Sequence, residues 1–198
     1  MHYCAGKALD SGASVEQEMA AGASLDEVLT SFPKVLVAAV HGASIGWGCT
    51  QLWNFDLVYA HEQAYFQTPV MTLGFSPEGG SSYTFPKIMG RQHANALLMA
   101  AEKLSAQEMY VSGLVTKVVA AESPERFLEQ VCEKARKIAM FPAESLRMAK
   151  AQTNRLVQQA EQREAGIREG FDLRAGMNSD EAKAIVKRFT DKARKSRL

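Results

Sequence analysis

The strongest hydrophobic pattern in the chain is the continuous run Val35-Leu36-Val37-Ala38-Ala39-Val40, set between Pro33 and a cluster of glycines. A run with no polar interruption predicts a strand buried on both faces, the kind found in parallel sheets. Gly42, Gly46 and Gly48 then predict a turn over 41–48, residues 49–55 a helix, and 56–60 and 64–67 two short strands. Strand, turn, helix and strand in this space make a βαβ unit. Ahead of it, residues 1–31 are rich in Ala, Ser and Gly and predict only short helices at 14–19 and 25–29. Behind it the period becomes helical. Residues 91–101 predict a helix. Ser105 and Glu108 form a capping box, and Gly113 supplies a left-handed stop. Residues 114–119 predict a strand. Ser123-Pro124 opens a helix whose stripe is Phe127, Leu128, Val131, Cys132, Ala135, Ile138 and Ala139, and Pro142 ends it. Residues 145–162 predict a helix, and Ser179 caps a last one with Ala182, Ile185, Val186 and Phe189 on one face. The pattern is therefore α/β over 1–122 and helical over 123–198.

Composition narrows the function classes. A chain of 198 residues fits one domain, and 46% apolar with 23% charged residues excludes a wholly disordered chain. The balance of 23 Lys+Arg against 22 Asp+Glu supplies no field for non-specific nucleic-acid binding. Cys4, Cys49 and Cys132 form no Cys-x-x-Cys pair, so neither a disulfide framework nor a zinc site is expected, and a reducing compartment is. The Val35–Val40 run falls far short of the roughly 20 residues that cross a bilayer. No basic stretch followed by an apolar one opens the chain, so no signal peptide is expected.

Two segments could carry chemistry. The turn at 42–48 matches neither the dinucleotide fingerprint nor the phosphate-binding loop. A glycine turn that runs into a helix exposes backbone N–H groups, which suit an anion or a developing oxyanion. It could equally be a tight turn that packs a helix on a sheet. The second segment is Ser76-Pro77-Glu78-Gly79-Gly80-Ser81-Ser82-Tyr83. Val70, Met71, Leu73, Phe75, Tyr83 and Phe85 surround its carboxylate in sequence, and apolar surroundings raise a carboxylic acid's pKa and suit it to proton transfer. The plainer reading is a solvated turn glutamate. His2, His41, His61 and His93 show no ligand spacing, and His41 is expected to satisfy the turn. A helix start at Cys49 would lower its thiol pKa. No Gly-x-Ser-x-Gly elbow supports a hydrolase. Lys183, Lys187, Arg188, Lys192, Arg194, Lys195 and Arg197 give the last helix a basic polar face. The final Ser196-Arg197-Leu198 is one conservative change from the Ser-Lys-Leu peroxisomal address.

In order, these pieces resemble the crotonase, or enoyl-CoA hydratase/isomerase, superfamily. Tyr3-Cys4-Ala5-Gly6 resembles the family's first oxyanion loop, and Ala39-Val40-His41-Gly42-Ala43-Ser44-Ile45-Gly46-Trp47-Gly48-Cys49 its second. Residues 55–60 with 64–69 resemble the next strand pair, and 104–119 the late helix and strand. The segment 76–87 is similar to the peroxisomal Δ3,Δ2-enoyl-CoA isomerases and to the C-terminal domain of chromodomain-Y-like proteins. The resemblance implies a spiral of ββα/βαβ units with a helical C-terminal trimerisation region. It implies a 3-enoyl-CoA substrate and a proton shuttle by Glu78, with the amides of Lys7 and Trp47 on the thioester oxygen. Ala5, Gly6, Ala8, Leu9, Ile45, Gly46, Pro69, Val70, Leu73 and Pro77 would line the substrate. The two glutamate positions of hydratases hold Thr50 and Val70 here, which argues against hydration. The resemblance further implies homotrimers or hexamers and no metal or redox cofactor, since coenzyme A is part of the substrate. With Ser196-Arg197-Leu198 it implies the peroxisome or glycosome and an import receptor, with cytoplasm or mitochondrion as the alternative. Family members begin with strands and a helix ahead of the first loop, so the pattern places a shortage ahead of Tyr3.

Overall fold

The structure is a computed structural model, and it describes residues 2–6, 12–154 and 160–195. Two small sheets form its centre. In the first, β1 (Val37–Val40), β3 (Leu57–His61) and β6 (Lys117–Val119) lie parallel in the order β1-β3-β6. The apolar run at 35–40 is thus a strand of a parallel sheet, as its pattern predicts. Buried Ala38 and Val40 alternate with half-buried Val37 and Ala39, and Val58 to His61 on the central strand are buried throughout. In the second sheet, β2 (Ala43–Ile45) pairs parallel with β4 (Tyr65–Gln67), and β4 pairs antiparallel with β5 (Leu104–Ser105). The predicted turn at 41–48 is therefore partly strand. Pairing with 65–67 supplies the hydrogen bonds that make it so, a non-local contact that no residue within 43–45 announces.

Helices pack on both sheets. α1 (Val15–Ser31) is one helix where the sequence predicts two fragments. Its capping box is Ser14 with Gln17, and Gly22 in its interior weakens the local signal without ending it. After the glycine turn come α2 (Trp47–Thr50) and a 3-10 turn at Gln51–Asn54, matching the helix predicted there. α3 (Ser81–Leu98) begins ten residues before the predicted helix and bends at Gly90, where φ is 74° and ψ 157°. α4 (Ala106–Val111) starts at the expected Ser105–Glu108 capping box. α5 (Pro124–Ala139) has its predicted Ser123 cap and buries Phe127 and Val131 under the first sheet. The helix predicted over 145–162 falls on α6 (Ala143–Asn154) and the start of α7 (Ala160–Asn178), with 155–159 outside the described residues, and α8 (Asp180–Lys195) follows. No helix among the described residues is long and apolar enough to cross a membrane.

The main core lies between the sheets and α3. Phe66, Phe85, Leu52, Leu97 and Met109 are fully buried in it. A partly buried ion pair ties α6 to the base of the first sheet. Lys150 Nζ is 2.8 Å from Asp56 Oδ2 and donates to Lys34 O at 2.7 Å, while Asp56 Oδ2 also accepts from Leu36 N at 2.6 Å.

Candidate active site

Residues 3–5, the glycine turn and Glu78 meet at the second sheet. Tyr3 N donates to His41 O at 2.8 Å, Cys4 N to Ala43 O and Ile45 N to Cys4 O at 3.0 Å each. Residues 3 and 4 thereby run beside β2 as a short parallel bridge, Cys4 to Ser44. Gly6 follows at φ +98°, where a Cβ would lie 3.3 Å from Ile45 Cγ2. The two segments likened to oxyanion loops are therefore neighbours, though 40 positions separate them in sequence. Lys7, Ala8 and Leu9 lie outside the described residues, as do Ser196, Arg197 and Leu198.

Gly46 is the pivot. Its φ of 57° and ψ of −127° belong to glycine, and its N–H donates to Gln67 O at 2.9 Å. A Cβ there would lie 3.6 Å from Glu78 Oε1, so the carboxylate sits directly over this residue. Trp47 is the first residue of α2, where an amide has no intrahelical acceptor. Its indole Nε1 lies 3.5 Å from where a Cβ on Gly79 would sit, which puts the bulky ring against the loop that carries Glu78.

That loop is held at several points. Ser81 Oγ donates to Glu78 O at 2.7 Å, and Trp53 Nε1 donates to Gly79 O at 2.8 Å. Thr50 is buried and its Oγ1 donates to Trp47 O at 3.4 Å. Val70 is buried and apolar, and Pro69, Leu73 and Pro77 are half-buried along the same stretch. Neither Thr50 nor Val70 can act as a general acid or base at neutral pH.

Other candidates fall away from the site. Cys49 is completely buried, and burial pushes its thiol up to about 12, so the low value expected from a helix start does not arise. Desolvation outweighs the ends of a helix of only four residues. His41 packs edge-on against His61 with ring centroids 5.5 Å apart, and burial, then His61, hold its pKa below the ordinary value. His61 Nδ1 accepts from Gln63 N at 3.1 Å, which leaves Nε2 to donate to Ala121 O at 3.0 Å. His2 Nδ1 accepts from Ala43 N at 3.1 Å. These rings serve the packing of α5 and the first residues on the sheets.

Sequence reasoning missed Glu169. It lies on α7, is buried, and accepts from Gly80 N at 2.6 Å and Ser82 N at 2.7 Å. Burial holds its carboxyl above the usual range, against the pull of its bonds to Ser82 and Gly80, and Asp26 on α1 adds to the rise. Burial also raises Asp26, opposed by Asn54, whose Nδ2 donates to Asp26 Oδ1 at 3.0 Å. A raised carboxyl binds more protons in the native than in the unfolded state. The stability it contributes is complete below the unfolded pKa and is lost as pH rises through the folded one. Asp26→Asn is therefore expected to flatten the fall of Tm between the ordinary carboxylate range and neutrality, measured by thermal unfolding across that window.

The contact between the two loops also makes a prediction. A Cβ on Gly48 would collide with Cys4 Cβ and lie 2.6 Å from Cys4 Sγ. Gly48→Ala is expected to destabilise by about 1–3 kcal/mol through overpacking. Adding Cys4→Gly should restore most of the loss in thermal unfolding, and no recovery would show that the collision lies elsewhere.

The fold is that of a crotonase-like protein. The chain belongs to the enoyl-CoA hydratase/isomerase family, whose model matches residues 2–196. It is 45% identical over 120 residues to enoyl-CoA delta isomerase 2 of Rattus norvegicus, covering 60% of this chain and 30% of that protein. It is 42% identical over 120 residues to testis-specific chromodomain protein Y 2 of Homo sapiens, covering 61% of this chain and 22% of that one. The chain thus spans less than a third of these relatives. Among solved structures, an enoyl-CoA hydratase/isomerase from Pseudoalteromonas atlantica T6c superimposes with a TM-score of 0.85 at 29% identity, over 96% of this chain and 75% of the other.

Proposed function

We propose that the chain is an enoyl-CoA isomerase that moves the double bond of a 3-enoyl-CoA to the 2-trans position, as in fatty-acid β-oxidation. The observation that carries this reading is Glu78 Oε1 over Gly46, with no second carboxylate at the two positions, Thr50 and Val70, where hydratases hold theirs. Glu78 takes a proton from C2, and the electrons pass to the thioester oxygen as a dienolate. The amides of Lys7 and Trp47 hold that oxyanion. Glu78 then returns the proton to C4, and the charge collapses to the conjugated thioester. One carboxylate suffices because it acts first as base and then as acid. Hydration would need a second group to activate water.

The remaining residues of the two loops, with Pro69, Val70, Leu73 and Pro77, would bind the acyl-CoA. We also propose a homotrimer or a pair of trimers. The support is apolar surface along the C-terminal region, where Met140 and Phe141 just past α5, Phe171 on α7 and Phe189 on α8 stand 58–85% exposed. The terminal Ser196-Arg197-Leu198 supports delivery to a peroxisome or glycosome by an import receptor. The first loop, Gly6-Lys7-Ala8-Leu9-Asp10, sets its acid back from the family's usual Gly-x-Asp and favours a second reading, an acyl-CoA-binding or oligomer-forming protein with weak or no turnover. The test is conversion of 3-enoyl-CoA, followed by the absorbance of the conjugated thioester, beside calorimetry with an acyl-CoA. Turnover supports the isomerase. Binding without turnover supports the second reading, and hydration of crotonyl-CoA would overturn both.

A further inference from the structure

The segment that carries Glu78 is built from residues that do little to hold themselves. Gly79 and Gly80 follow it with φ of +66° and +74°, two consecutive left-handed residues. Glycine reaches that shape without strain but also leaves it easily. Gly80 is the N-cap of α3, yet it has no side chain to cap with. The missing cap comes from α7. Each oxygen of Glu169 takes one amide, Oε2 that of Gly80 and Oε1 that of Ser82, and the carboxylate sits at the positive end of the first segment of α3, which runs to the kink at Gly90.

The geometry fixes one peptide unit from both sides. The Gly79 carbonyl accepts from the buried Trp53 indole, and the N–H of the same Gly79–Gly80 peptide donates to Glu169. The Glu78 backbone lies one residue before this unit and is tied to the first turn of α3 by Ser81. Glu169 is only 6% exposed, and a buried carboxylate is expensive unless it is fully hydrogen-bonded. A serine or aspartate at the cap would end the helix locally and at low cost. Here the cap is a side chain 89 positions away, so it links the loop to the late helices. α7 and α8 press on the same loop, since a Cβ on Gly176 would meet Gly74 O at 3.3 Å, and Ala182 and Ile185 lie against Gly74.

We propose that Glu169 is a positioning residue, which holds the Gly79–Gly80 peptide so that the Glu78 carboxylate stays over Gly46. Its place in catalysis rests on the isomerase reading above. Glu169 does not exchange a proton with substrate. The late helices thereby set the geometry of a site whose other parts lie in the first 80 residues.

The experiment compares the full chain with Glu169→Gln. A glutamine offers one acceptor oxygen and turns an N–H₂ toward the other amide. Misplacement of Glu78 should lower kcat by about 10²-fold, with KM within about threefold, because substrate contacts remain. Amide hydrogen exchange at Gly80 and Ser82 should quicken by about tenfold or more, while the first sheet keeps its protection. Full kcat in a folded Glu169→Gln protein, or unchanged exchange at both amides, overturns the proposal. If Glu169→Gln does not fold, Glu169→Asp decides. Its shorter carboxylate keeps the charge but reaches one amide, so an unchanged kcat overturns the proposal and an intermediate one supports it. A wild type that turns over no 3-enoyl-CoA fails the isomerase reading instead. The exchange comparison then still decides whether Glu169 holds the loop.

Discussion

Glu78→Gln is expected to lower kcat for 3-enoyl-CoA isomerisation by about 10³-fold while leaving KM nearly unchanged. The amide is close in shape to the carboxylate, so the loop at 78–80 should keep its bonds from Ser81 and Trp53. It can neither take the C2 proton nor return it to C4. In the proposed shuttle the same group serves both half-reactions, so no second residue remains to carry either. The small residual rate would come from the oxyanion donors alone. The check is steady-state kinetics on a 3-enoyl-CoA, with thermal unfolding to show that the variant is folded. Activity within a few-fold of the wild type would mean that another group moves the proton. A general fall in affinity with kcat intact would make Glu78 a binding residue.

Lys150→Ala is expected to destabilise the chain by about 3 kcal/mol, the largest effect away from the site. Lys150 Nζ serves both Asp56 and the Lys34 carbonyl, and its side chain is 7% exposed. Removing it leaves a partly buried carboxylate with only the Leu36 amide, and leaves the Lys34 oxygen without this donor. Lys150→Met, which fills the space but supplies no donor, should recover little of the loss. Lys150→Arg, which supplies donors on a bulkier head, should recover part. Denaturant unfolding reads all three. Equal stability of Lys150→Ala and wild type would show that α6 is held by packing alone.

How far local sequence reaches is visible at helix starts. Ser105 with Glu108 and Ser123 with Pro124 carry their own caps within three residues, and α4 and α5 begin there. α3 begins on glycine after an αL turn, and its first amides are satisfied from α7. Nothing near residue 81 could signal it, and Pro86 within the first turns argued locally against a helix. α7 has polar residues around most of its surface, so no stripe marks 163–178 as helical. Among its described residues the buried ones are Ala165 and Glu169. The one clue to Glu169 was a charged residue in a segment too polar to pack, which is also the description of an ordinary solvated helix.

The candidate site divides in the same way. Glu78 between Pro77 and two glycines and the glycine turn with Gly46 could be read along the chain, and the family resemblance set Thr50 and Val70 at the hydratase glutamate positions. They depend on residue identity, which sequence carries directly. The burial of Cys49, the nearness of Gly6 to Ile45, the 3.6 Å approach of Glu78 to the Gly46 position and the hold of Glu169 on Gly80 could not. Each joins positions that only chain folding brings together. The sequence by itself determined which groups can do chemistry and where single strands and self-capped helices form, because those follow from side-chain type and short-range period. The tertiary structure alone decided which groups meet, which thiol is silenced by burial, and what keeps the glutamate loop in place, because desolvation and hydrogen bonds across 40 to 90 residues are properties of packing.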